Sequence, residues 1–73
     1  MSRVAVIGEE VRIHGFALAG VPAHPAETDE QARKAWRLLG DDVAVVILTP
    51  RAADRLAGQL DQRPQVLTVV MPP

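Results

Sequence analysis

Four short aliphatic runs punctuate the chain, and between them apolar positions recur at helical intervals. The first run, Val4-Ala5-Val6-Ile7, is continuous and not alternating. That pattern predicts a strand over Arg3 to Ile7 with both faces covered. Gly8 permits a sharp turn, and Glu9 and Glu10 follow where a helix N-terminus favours negative charge. Val11, Gly15, Leu18 and Ala19 then stand at i, i+4, i+7 and i+8 and predict the buried face of a first helix. A glycine inside a helix costs about 1 kcal/mol against alanine, so Gly15 implies a close backbone approach. Gly20 is a natural stop. Val21 to Ala26 contains Pro22 and Pro25, which restricts it to a short edge strand or an extended linker.

Thr28-Asp29-Glu30-Gln31 has the form of a capping box, with Thr28 as cap and Gln31 reaching back. Ala32, Ala35, Trp36 and Leu39 continue it as a second helix from about Asp29 to Leu39, closed by Gly40, with Trp36 as core anchor. Val43 to Leu48 is the most apolar run and predicts a central strand. Thr49 and Pro50 suit the cap and first position of a third helix, whose stripe is Ala53, Leu56, Ala57 and Leu60. Arg63-Pro64 closes the loop, and Val66 to Met71 is the last strand.

The predicted order is β-α-β-α-β-α-β in a single domain over residues 1–73. Right-handed crossovers, an edge position for the proline-marked strand and central positions for the two most apolar ones select the strand order 2-1-3-4. The fold class is therefore α/β: a small four-stranded parallel sheet with three helices on its two faces, Rossmann- or flavodoxin-like. Helix one lies on one face and helices two and three on the other. Because strands three and four are apolar on both faces, an apolar strip beside helix one is left open to a partner or a self-contact.

Composition narrows the chemistry. With 73 residues the core is small, so covering by a partner would add stability. A net charge of -1 lacks the clustered basic excess of a nucleic-acid binder. There is no cysteine, which excludes disulfides, thiolate metal sites and cysteine nucleophiles. No apolar run approaches the ~18 residues of a membrane span, so the expectation is a soluble intracellular protein without direct membrane insertion.

The switch point between strands one and three, where doubly wound sheets bind ligands, carries Gly8, Glu9, Glu10, Thr49 and Pro50. It has no glycine-rich phosphate cradle. Glu9 and Glu10 match the acidic, metal-holding pair of a phosphorylatable receiver domain. However, Thr49 stands where that chemistry needs an aspartate, and the one lysine, Lys34, is on helix two. Placement against the helix dipole accounts for the pair. His14 and His24 share no metal-ligand spacing, and Ser2 is terminal. Arg33, Lys34 and Arg37, interleaved with Asp29 and Glu30, read as a solvated face. No catalytic residue, cofactor or metal is expected.

The segment Val4-Ala5-Val6-Ile7-Gly8-Glu9-Glu10, followed by Gly15-Phe16-Ala17-Leu18-Ala19-Gly20-Val21, resembles the N-terminus of the small stalk protein known as the F subunit in V-type and archaeal A-type ATPases and ATP synthases. Glu9 stands where that family usually has aspartate. Val43 to Thr49 with Ala53, and Val69-Val70-Met71-Pro72, resemble its later strands. The resemblance covers nearly all of the chain in order. It implies a non-catalytic central-stalk component of a rotary motor. Such a component binds the long coiled-coil protein of the stalk (the D subunit), turns within the A/B catalytic head, and helps couple ATP hydrolysis or synthesis to proton or ion transport. It would be a cytoplasmic, peripheral part of a membrane-bound complex. Family members commonly continue into a C-terminal helical segment, and this chain stops at Pro73.

On this reading the partner-binding candidates are Phe16, Leu18, Val69 and Met71. Phe16 falls off the Val11–Leu18 face, whereas ordinary core packing is the competing reading of Leu18 and Val69. The alternative function is a receiver-like or flavodoxin-like regulatory domain binding a small ligand or metal near Glu9 and Glu10. A third reading is a scaffold that dimerises through its open face or edge strand.

Overall fold

A computed structural model describes residues 3–73. The elements are β1 (Arg3–Gly8), α1 (Glu10–Leu18), β2 (Ala23–Pro25), α2 (Asp29–Leu38), β3 (Val43–Leu48), α3 (Pro50–Arg55), a 3-10 turn (Leu60–Gln62) and β4 (Leu67–Val70). All strand pairs are parallel, and the sheet order is β2-β1-β3-β4, as the sequence predicts.

Two cross-strand rows define the α1 side of the sheet: Val4, Val45 and Leu67, then Val6, Ile47 and Val69. The intervening residues Ala5, Ile7, Val46 and Leu48 point to the other side. There they join Ala32, Ala35, Trp36, Leu39, Ala52, Leu56 and Val66 in one buried cluster under α2 and α3. Val43 joins that cluster because the β1–β3 register shifts between Arg3 and Val4. Val6 and Ile13 are buried outside it, on the α1 side.

Local chemistry fixes the helix ends. The Gln31 N–H donates to the Thr28 hydroxyl at 3.1 Å, and the Gln31 side chain accepts from the Glu27 N–H at 2.7 Å, one residue earlier than a standard capping box. Arg63 donates to the carbonyls of Leu39 (2.8 Å) and Arg37 (3.4 Å), closing the C-terminus of α2, and its guanidinium lies 5.9 Å from the Trp36 ring centroid. Trp36 is buried with no hydrogen-bond partner for its indole nitrogen among the described residues, so packing and this cation hold it.

Three expectations are corrected. The buried residue of α1 is Ile13, whereas Val11 and Leu18 are 89% and 76% exposed and Gly15 and Ala19 are also exposed. Successive residues turn by about 100°, so Ile13 lies opposite the Val11–Leu18 stripe, and one aliphatic side chain set on the sheet fixes the rotation of so short a helix. No close approach explains Gly15: a Cβ there would meet nothing within 4 Å. The third helix ends at Arg55, and the predicted stripe splits. Ala52 and Leu56 are buried, Ala53 and Leu60 half-buried and Ala57 exposed, because the chain turns through Leu56–Gln59 before the 3-10 turn.

Candidate functional site

The C-terminal ends of β1 and β3 meet at the switch point, and the chain's own groups fill it. The Thr49 hydroxyl donates to Glu9 Oε1 at 2.6 Å and accepts from the Ala52 N–H at 3.3 Å, so one buried oxygen caps α3 and fixes Glu9. Gly8 is required beside it, because a Cβ would collide with the Thr49 side chain. Burial works to raise the Glu9 carboxyl. The Thr49 hydroxyl, a bond to its own backbone and the Arg12 and Arg51 guanidiniums outweigh that and hold it below its ordinary value.

Glu10 is exposed, and its backbone N–H donates to Glu27 Oε2 at 3.2 Å, which occupies the start of α1. The two carboxylates of the candidate pair therefore serve different ends. Among the described residues no group of three or more His, Asp or Glu side chains is gathered.

The opposite situation holds on the α1 side of the sheet. Exposure rises steadily along the row from Val6 (buried) through Ile47 (half-buried) to Val69 (44%). In the neighbouring row Val4 is 41% and Leu67 is 62% exposed, with Val45 half-buried between them. The cause is topological. The crossover from β1 to β2 sets α1 over those two strands, and no described element covers β3 and β4 on this side. The result is an aliphatic shelf beside α1, as expected from the sequence.

The flank of α1 that borders the shelf is identified by Arg12. Its Nη2 donates to the Pro72 carbonyl at 2.9 Å, just past the end of β4. Arg12, Gly15, Phe16 and Ala19, spaced i, i+3, i+4 and i+7, line one concavity of about 300 Å³ on that flank. Phe16 is half-buried there, and Met71, whose N–H extends the ladder to the Leu48 carbonyl at 2.8 Å, is half-buried at the end of β4. Leu18 stands two residues from Phe16, about 200° around the helix, on the outer side of α1. Neither Leu18 nor Val69 is ordinary core. The sequence pattern singles out Phe16, Leu18, Val69 and Met71 and misses Val4, Leu67, Arg12 and Ala19. Period-two alternation back from Val69 points to Leu67; nothing in the sequence marks Arg12.

Among the described residues no helix is long and apolar enough to cross a membrane. The profile of the ATP synthase (F/14-kDa) subunit family matches residues 4–72. The crystal structure of the F subunit of the V-type ATP synthase from Archaeoglobus fulgidus superposes with a TM-score of 0.58 at 29% identity, over 93% of this chain and 96% of that chain. No curated protein sequence matches the chain.

Proposed function

The chain belongs to the ATP synthase (F/14-kDa) subunit family, and from that membership we propose that it is a non-catalytic component of the central stalk of a V-type or A-type rotary ATPase. In this reading it binds the coiled-coil stalk protein, the D subunit, turns with it inside the A/B head, and helps couple ATP hydrolysis or synthesis to proton or ion transport. It would sit on the cytoplasmic side as a peripheral member of the membrane-bound complex.

The observation that carries this reading is the aliphatic shelf beside α1. Exposed Val4, Leu67 and Val69 lie on one face of a four-stranded sheet whose other face is closed by two helices. Contiguous apolar surface on so small a domain supports a protein contact there. The switch point, where a ligand-binding relative of this fold would hold its ligand, is instead occupied by Glu9 and Thr49 bonded to each other.

Phe16, Val69 and Met71 border or build the shelf, and Leu18 extends the apolar surface over the outer side of α1. Substituting Phe16→Asp tests the assignment. The ring is half-buried on the α1 flank that carries Arg12, and a carboxylate there should weaken binding to the coiled-coil partner by about 2 kcal/mol or more, measured by calorimetry. Unchanged affinity in a variant with a wild-type circular-dichroism spectrum would remove Phe16 from the interface.

A further inference from the structure

The segment from Ala57 to Gln65 connects α3 to β4 past the C-terminal end of α2, and it is fastened differently from the rest of the chain. Its two flanks are anchored, because Leu56 and Val66 are buried in the cluster under α2 and α3. Between them only Gln59, Leu60 and Arg63 are even half-buried. The backbone bonds of the segment are local. Ala57 donates to Asp54, Gln59 and Leu60 donate to Leu56, Gln62 donates to Gln59, and Val66 donates to Arg63. Among the described residues, its hydrogen bonds to parts of the chain distant in sequence are the two that Arg63 donates, to the carbonyls of Leu39 (2.8 Å) and Arg37 (3.4 Å). One side chain therefore carries the polar attachment to α2, and half-buried Leu60 carries the apolar attachment to the core.

The same side chain covers Trp36, whose ring centroid is 5.9 Å from the Arg63 guanidinium. Trp36 is 2% exposed, and its indole N–H, which can only donate, has no acceptor among the described residues. A buried donor without an acceptor weighs against the closed arrangement, because any conformation that admits water satisfies it. The Arg63 bonds oppose this. Carbonyls at the end of α2, which the helix itself leaves unpaired, accept there from a cation. Closure of the segment thus sets two charge-assisted bonds and one half-buried leucine against an unsatisfied indole. That is a smaller balance than the one that holds a central strand in place.

We propose that residues 57–65 form a strap that opens as a unit while the sheet, α1 and α2 stay folded, with Arg63 as its clasp. Opening lifts the guanidinium from the Leu39 and Arg37 carbonyls and from the face of Trp36, and water then reaches the indole N–H. Leu56 and Val66 are the fixed ends, and the strands keep their register. The strap gives the helix-covered face of the sheet a local motion of its own. It involves neither the switch point nor the shelf, and it does not depend on the function proposed above.

Trp36 is the only tryptophan, so its indole N–H is a single reporter of the strap. Hydrogen exchange of the whole chain is followed by NMR in buffer and in sub-denaturing urea. The Trp36 indole N–H and the Leu60 amide should exchange through one shared opening with a weak urea dependence, and be about tenfold or more less protected than the amides of the central strands β1 and β3. Two variants separate local from global opening. Arg63→Met keeps an unbranched stem and removes the clasp, so Trp36 exchange should quicken by about tenfold or more. Ile13→Val weakens the packing of α1 on the other side of the sheet, which stays folded when the strap opens. It should therefore quicken central-strand exchange and leave the Trp36 rate unchanged. Trp36 exchange that keeps pace with the central strands, in urea and in Ile13→Val alike, would mean that only global unfolding releases the indole and would overturn the strap. An unchanged Trp36 rate in folded Arg63→Met would overturn the clasp. The urea series and Ile13→Val decide the matter even where Arg63→Met does not fold.

Discussion

Among single groups the Thr49 hydroxyl is decisive, because it is fully buried and used twice. It donates to Glu9 and accepts from the Ala52 N–H. Thr49→Val keeps the shape and removes both bonds, so it should cost about 1–3 kcal/mol, read as a lower unfolding midpoint in urea. Glu9 gives the same contact a pH signature. Its carboxyl is held below its ordinary value in the folded chain, so the ionised form contributes stability at pH values above the unfolded pKa. That contribution is lost as pH falls through the folded pKa. Thermal unfolding followed from about pH 7 down to about pH 3 should show this loss in the wild type, and Glu9→Gln should lack it while being less stable at neutral pH. A Glu9→Gln profile parallel to the wild type would mean that other carboxylates carry the acid limb.

Between elements, the glycine that ends β1 and the glycine within α1 have opposite meanings, although the sequence alone treats both as tight positions. A Cβ on Gly8 collides with Thr49, whereas one on Gly15 meets nothing within 4 Å. Gly8→Ala should therefore destabilise by about 1–3 kcal/mol. Gly15→Ala should stabilise by about 0.5–1 kcal/mol through helix propensity alone, and both are measurable by chemical denaturation. The contrast shows where sequence reasoning succeeds. Strand order, the Thr28 and Thr49 caps and the Trp36 anchor were legible, because each follows from local pattern plus crossover handedness. The rotation of α1 was not, since Val11–Leu18 and Ile13–Phe16 are both helical spacings and only the sheet beneath decides between them. Nor was the early end of α3, because Leu56 and Leu60 keep helical spacing through a turn that is no longer helical. For the candidate site the open shelf was legible from topology. The role of Arg12 was not, because it depends on where the chain passes after β4, 60 residues later.

Taken as one body, the chain is divided by its sheet into a face closed by α2 and α3 and a face that α1 covers only in part, burying Val6 and Ile13. Leu56 and Trp36 lie at 0% and 2% exposure beneath α2 and α3, whereas Leu67 and Val69 stand at 62% and 44% on the other side. A domain of this size has little stability to spare. Leu56→Ala should therefore cost about 2–5 kcal/mol and leave a large fraction of the chain unfolded on mild heating. Leu67→Ala removes a side chain that is already mostly in water and should change stability by less than about 1 kcal/mol. Under the proposed function the order reverses for binding. Leu67→Ala should weaken the complex with the coiled-coil partner, and a Leu56 variant that remains folded at low temperature should bind normally. Measuring both quantities on both variants separates a docking face from a merely under-packed one. If Leu67→Ala loses as much stability as Leu56→Ala, the shelf belongs to the core of this chain. If it loses neither stability nor affinity, the contact lies elsewhere on the surface. The combination of intact stability and lost affinity is the outcome that a sheet closed on one side by its own helices and on the other by a partner requires.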